Sequence, residues 1–120
     1  MIDLTAGRLR LTVDPETGSV ARLVDVLSGV EHLRPDLPVG RPVGLFRVVA
    51  PSDLWWSRYA DAHEQPPPEI TESEGEVVLS YPDLLAHGGE ALSISAELRL
   101  EVSERPDEVL VTLALENSCS

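Results

Sequence analysis

The run Ala91-Leu92-Ser93-Ile94-Ser95-Ala96-Glu97-Leu98-Arg99-Leu100-Glu101-Val102 sets the architecture of this chain. Leu92, Ile94, Ala96, Leu98, Leu100 and Val102 alternate without a break with Ala91, Ser93, Ser95, Glu97, Arg99 and Glu101. Strict alternation is the signature of a strand with one buried face, because successive side chains of extended backbone point to opposite sides. Past Ser103-Glu104-Arg105-Pro106-Asp107 the alternation resumes, with Val109, Val111, Leu113 and Leu115 set against Leu110, Thr112, Ala114 and Glu116. Pro106 cannot donate to a ladder and Asp107 favours local side-chain-to-backbone bonds, so the chain turns there and the two runs form one long hairpin.

Upstream, Glu69 to Glu72 and Glu76 to Tyr81 read as a hairpin across Ser73-Glu74-Gly75, followed by a loop from Pro82 to Glu90. Near the N-terminus, Leu9, Leu11 and Val13 alternate with Arg10 and Thr12, and Asp14-Pro15-Glu16-Thr17-Gly18 supplies a turn. Proline presets φ there and glycine accepts a positive φ. Ser19 to Leu27 is apolar on both registers, which predicts a strand covered on both faces or near a sheet centre. A helix from Val20 to Leu33 competes with it, but the β-branched valines and Gly29 oppose one. Ser28-Gly29 turns into a short strand at Val30 to Leu33, and the proline-rich Arg34 to Pro42 opens into another at Val43 to Val49. Seven or eight strands with little helix predict an all-β, antiparallel β-sandwich, part of a larger one. Residues 1–120 are expected to be a single such domain.

The 120 residues suffice for one core and are too few for two. Nine arginines, no lysine and 21 acidic residues give a net charge of −12, so the mean surface repels phosphate backbones and anionic headgroups. Neither nucleic acid nor membrane is an expected partner. No apolar run approaches the ~18 residues of a membrane span, and Met1-Ile2-Asp3-Leu4-Thr5 lacks the basic start of a leader, so a cytoplasmic location is expected. Cys119 is the one cysteine, which excludes an internal disulfide and a cysteine-built zinc cage and leaves a free thiol.

Leu9-Arg10-Leu11-Thr12-Val13 followed by Pro15-Glu16-Thr17-Gly18-Ser19-Val20-Ala21-Arg22-Leu23-Val24-Asp25, together with the closing strand to Leu115-Glu116-Asn117, resembles the N-terminal galactose-mutarotase-like ("supersandwich") region of multidomain glycoside hydrolases. The resemblance implies an N-terminal piece of a longer enzyme, not catalytic by itself, that packs on a downstream catalytic domain. It implies no cofactor and no metal. A mutarotase would use a histidine and a glutamate as acid and base, but it needs a larger sandwich than this chain supplies. A stand-alone protein-interaction module is the alternative reading.

Pro51 to Pro68 differs from everything around it: Trp55, Trp56 and Tyr59 are three of the five aromatic rings, and Asp53, Arg58, Asp61, His63 and Glu64 lie among them. With no strand or helix period it reads as a long loop of the kind compact domains keep for function. Sugar C–H faces stack on aromatic planes while carboxylates and guanidinium groups bond hydroxyls, so Trp55, Trp56, Tyr59, Asp53, Arg58, Asp61 and His63 form the expected carbohydrate-binding set. The competing explanation is that the rings cap the sandwich or pack against a neighbouring domain. Asp61-Ala62-His63-Glu64 sets an imidazole beside carboxylates, as acid–base work or metal ligation requires, yet on extended backbone His63 and Glu64 would diverge and a solvated loop is the simpler reading. His87-Gly88-Gly89-Glu90 has the glycines of an oxyanion loop without a Gly-x-Ser-x-Gly elbow, and is expected to be a tight turn into Ala91. His32 reads as a rim residue, and Glu69, Glu72, Glu74 and Glu76 as a solvated edge.

Overall fold

The computed structural model describes residues 1–33, 45–50 and 58–117, in which nine strands form three antiparallel sheets. The all-β reading is correct. β1 (Ile2–Ala6), β2 (Leu9–Val13) and β3 (Val20–Asp25) make the first sheet with β2 in the centre. β1 was not among the expected strands, although Leu4 and Ala6 are buried while Asp3 and Thr5 face out. The Asp14 to Gly18 turn closes as expected: the Asp14 N–H donates to Ser19 O at 2.9 Å, the Gly18 N–H to Asp14 O at 2.7 Å, and Gly18 takes φ +69°. β3 is a half-buried edge strand of its sheet, correcting the expectation of central cover from its two-sided apolarity. It is no helix, in keeping with its valines. Val30 to Leu33 forms only an isolated bridge, Glu31 to Val24.

β4 (Arg47–Ala50) and β5 (Arg58–Asp61) form a two-stranded sheet, so the expected Pro51 to Pro68 loop contains a strand, followed by a 3₁₀ turn at Ala62–Glu64. The third sheet runs β6 (Glu69–Ser73), β7 (Glu76–Tyr81), β8 (Ile94–Val102), β9 (Val109–Asn117) in that order. The long hairpin pairs without a bulge from Ile94 with Asn117 to Val102 with Val109. β8 begins three residues later than the alternation suggests. Ser93, at φ 57°, breaks the extended backbone, and Ala91 bridges back to Leu85.

Alternation decides which side chains meet. Val77, Leu79 and Tyr81 of β7 and Ala96, Leu98 and Leu100 of β8 face Leu4, Leu11 and Val13 of the first sheet, with Val48, Ala60 and Leu84 completing one buried cluster. Leu79, Leu84, Leu98 and Leu100 are fully enclosed, so truncating any one to alanine should cost about 2–5 kcal/mol. Tyr81 meets Phe46 edge-on, ring centroids 5.3 Å apart at 82°. No described helix is long and apolar enough to cross a membrane.

Candidate functional site

In the β4–β5 ladder Arg47 pairs with Asp61, Val48 with Ala60, Val49 with Tyr59 and Ala50 with Arg58. Val48 and Ala60 point into the core, which leaves Arg47, Val49, Tyr59 and Asp61 together on the opposite face. The loop between β7 and β8 lies beside this face. The His87 N–H donates to Tyr59 O at 3.0 Å, while Gly88 and Gly89, both at positive φ, turn the chain back with Gly89 N–H to Ala86 O at 2.9 Å and Ala86 N–H to Glu90 O at 2.7 Å. This is the expected tight turn, and its backbone aims His87 at Asp61.

Gln65 fastens the two segments. Its buried side chain donates from Nε2 to Asp61 O at 3.0 Å and Leu85 O at 2.9 Å, and its Oε1 accepts the Leu85 N–H at 2.7 Å. One side chain therefore does the work of a missing strand pair. The 3₁₀ turn that precedes it brings Glu64 round to the same place, with Oε2 3.2 Å from His87 Nε2.

Asp61 is the centre of the cluster and is only 4% exposed. Its Oδ1 accepts from Arg47 Nε at 2.5 Å, and its Oδ2 accepts from Arg47 Nη2 at 3.2 Å and lies 2.8 Å from His87 Nε2. Nε2 thus faces two carboxylate groups, Asp61 and Glu64, and the tautomer that suits both is the one with a hydrogen on Nε2. The hydrogen bond from Arg47 outweighs the desolvation of the carboxylate and, aided by His87, holds Asp61 below the usual carboxylate range. Tyr59, 40% exposed, stands beside this ion cluster, with Arg47 Cζ 5.4 Å from its ring centre and the His87 ring 6.2 Å away. Asp61, Glu64 and His87 also bring three ligand atoms within 4.8 Å of one another. A cation there would have to displace the His87 hydrogen bond, in a site whose buried carboxylate Arg47 already neutralises.

Of the expected carbohydrate-binding set, Tyr59 and Asp61 lie on this face. Asp53, Trp55 and Trp56 lie outside the described residues, as does Cys119. Arg58 points to the other side of β5, where Nη1 pairs with Glu90 at 2.5 Å. His63 stays at the margin, 3.8 Å from Glu64. The expected divergence of His63 and Glu64 does not hold, because their backbone is a 3₁₀ turn and not extended. Arg47, Gln65 and the role of His87 were not found from sequence. Asp61 and His87 are 26 residues apart, and no local pattern joins them.

Scans against protein-family models, curated proteins and solved structures give no match for this chain.

Proposed function

We propose that this chain is a carbohydrate-contacting β-sandwich that accompanies the catalytic domain of a glycoside hydrolase, with the Tyr59 face as its sugar platform. One observation carries the reading: an exposed aromatic ring, paired in the ladder with the exposed Val49, has a guanidinium over it and, 6.2 Å away, an imidazole that in turn meets Glu64. A pyranose offers an apolar C–H face to a ring of this kind, and its hydroxyls suit the charged groups around it, of which Arg47 lies over the ring itself. Asp61 supports binding over catalysis at this face. A glycosidase acid or nucleophile must reach the scissile bond, whereas Asp61 is buried behind Arg47 and held ionised by it.

Titration with a panel of neutral oligosaccharides, followed by tryptophan fluorescence and calorimetry, tests the reading. We expect weak, saturable binding to one sugar class, reduced about tenfold in Tyr59→Ala, the equivalent of about 1.4 kcal/mol. Flat responses across the panel would remove the carbohydrate reading. The same aromatic segment would then be taken as a protein-docking surface.

A further inference from the structure

We propose that β9 pairs edge to edge with β9 of a second copy of this chain, so that two four-stranded sheets join into one continuous sheet. This does not depend on the carbohydrate reading. β9 is the last strand of its sheet, and every residue from Leu110 to Asn117 is exposed. Val111, Leu113 and Leu115 sit in register with Leu100, Leu98 and Ala96, which are 0%, 1% and 4% exposed, yet they are themselves 52%, 38% and 51% exposed. Among the described residues, then, the core-facing apolar row runs one strand beyond its cover.

The occupant follows from how the edges differ. β6, at the far side of the same sheet, is protected by Glu69 and Glu72 and preceded by three prolines. β1 presents Asp3 and Thr5. β9 has none of the usual guards against pairing: no proline, no bulge, and Glu116 as its only ionised side chain over nine residues. It is also self-complementary. An antiparallel two-fold pairing centred on Leu113 sets Val111 opposite Leu115 on one face, and Thr112 opposite Ala114 and Leu110 opposite Glu116 on the other, so the carboxylate never meets its own copy. A slip of two residues toward Thr112 brings Glu116 opposite Glu108, so repulsion disfavours that register.

Size sets the strength. Nine residues span about 30 Å, and a strip of that length buries on the order of 1,000 Å² in total, the low end of specific interfaces. Each copy has a net charge of −12, so the dimer is weak at low salt and tightens as salt screens the repulsion.

Sedimentation of the full chain from about 1 µM to about 1 mM, at low and moderate salt, should show a monomer–dimer equilibrium that salt favours. Leu113→Lys places two ammonium groups at the two-fold axis and should weaken the dimer at least tenfold, with an unchanged circular dichroism spectrum. If that variant fails to fold, oxidative cross-linking decides. In a chain with Cys119→Ser, Leu113→Cys should form a disulfide dimer readily, whereas Val109→Cys, set opposite Asn117, should not. A single monomer mass at every concentration, a dimer untouched by Leu113→Lys, or equal cross-linking from the two positions overturns the proposal.

Discussion

Gln65 satisfies the carbonyl of Asp61 at the end of β5 and both the carbonyl and the N–H of Leu85 in the β7–β8 loop, so its removal should cost more than its size suggests. Gln65→Leu leaves those buried groups unpaired and should destabilise the fold by about 2–3 kcal/mol, read from chemical unfolding. Tyr81 presents the opposite case. Its hydroxyl is buried with no described hydrogen-bond partner, and burial pushes the phenol up to about 12. Tyr81→Phe keeps the edge-on packing with Phe46 and removes an uncompensated polar atom, so stability should stay equal or rise by up to about 1 kcal/mol. A clear loss would mean the hydroxyl has a partner. Asp61 makes stability depend on pH. Its folded pKa lies below the unfolded value of about 3.9, so its contribution is complete above that value and is lost as pH falls through the folded pKa. Asp61→Asn should cost about 1–2 kcal/mol at neutral pH, toward the low end because Arg47 is well exposed. The variant should also lose stability less steeply than the parent below about pH 4. Some acid sensitivity will remain through Asp25: its desolvation is outweighed by hydrogen bonds from the Leu27 N–H, Arg8 and the Ser28 N–H.

The turns between elements show how one hairpin supports another. Asp107, which the sequence suggested would bond locally, instead accepts the Arg8 N–H at 2.6 Å and lies against Gly7, tying the β8–β9 turn to the β1–β2 turn. Gly7 has φ +59°, and a Cβ there would collide with the Asp107 carboxylate. Gly7→Ala should therefore destabilise by more than the about 1 kcal/mol of a strained backbone alone, while Gly29→Ala, at a positive φ but in open space, should cost only that strain. Thermal melts of the two variants measure the difference. Every strand but β1 and β5 was legible in the sequence, most clearly β2, β7, β8 and β9, which carry an apolar row on one face. β5 was hidden because its core-facing residues are Arg58 and Ala60 and its other face is Tyr59 and Asp61, which inverts the usual pattern. Of the site, Tyr59 and Asp61 were legible as chemistry. Their neighbours Arg47 and His87 arrive through register and through the Gln65 staple, which periodicity does not encode. Alternation likewise named the inner face of β9 but not its lack of cover, since a pattern gives direction and not the identity of a neighbour.

At the scale of the molecule the shape is a slab, 51 × 33 × 21 Å, thick enough for two packed layers. Its radius of gyration, 15.7 Å, exceeds the about 13.6 Å of a compact domain of this length, in keeping with the long dimension of the slab. Charge presses outward on this slab. Even if each of the nine arginines neutralised one of the 21 carboxylates, 21 − 9 = 12 would remain. Salt acts on both sides of that balance, weakening ion pairs such as Arg8–Asp25 and Arg22–Glu31 and also the mutual repulsion of the surplus carboxylates. Exposed pairs are each worth at most about 1 kcal/mol, while the surplus acts over the whole surface, so repulsion should win. The melting temperature of dilute protein at neutral pH should rise by several degrees between about 10 mM and about 300 mM sodium chloride, then level off, because the screening length falls from about 30 Å to below 8 Å. A fall would mean that the ion pairs dominate, and a rise that continues linearly into molar salt would mean preferential hydration of the surface instead. The plateau is the decisive feature, since only screening saturates over that range, and the same range of salt should draw the two β9 edges together.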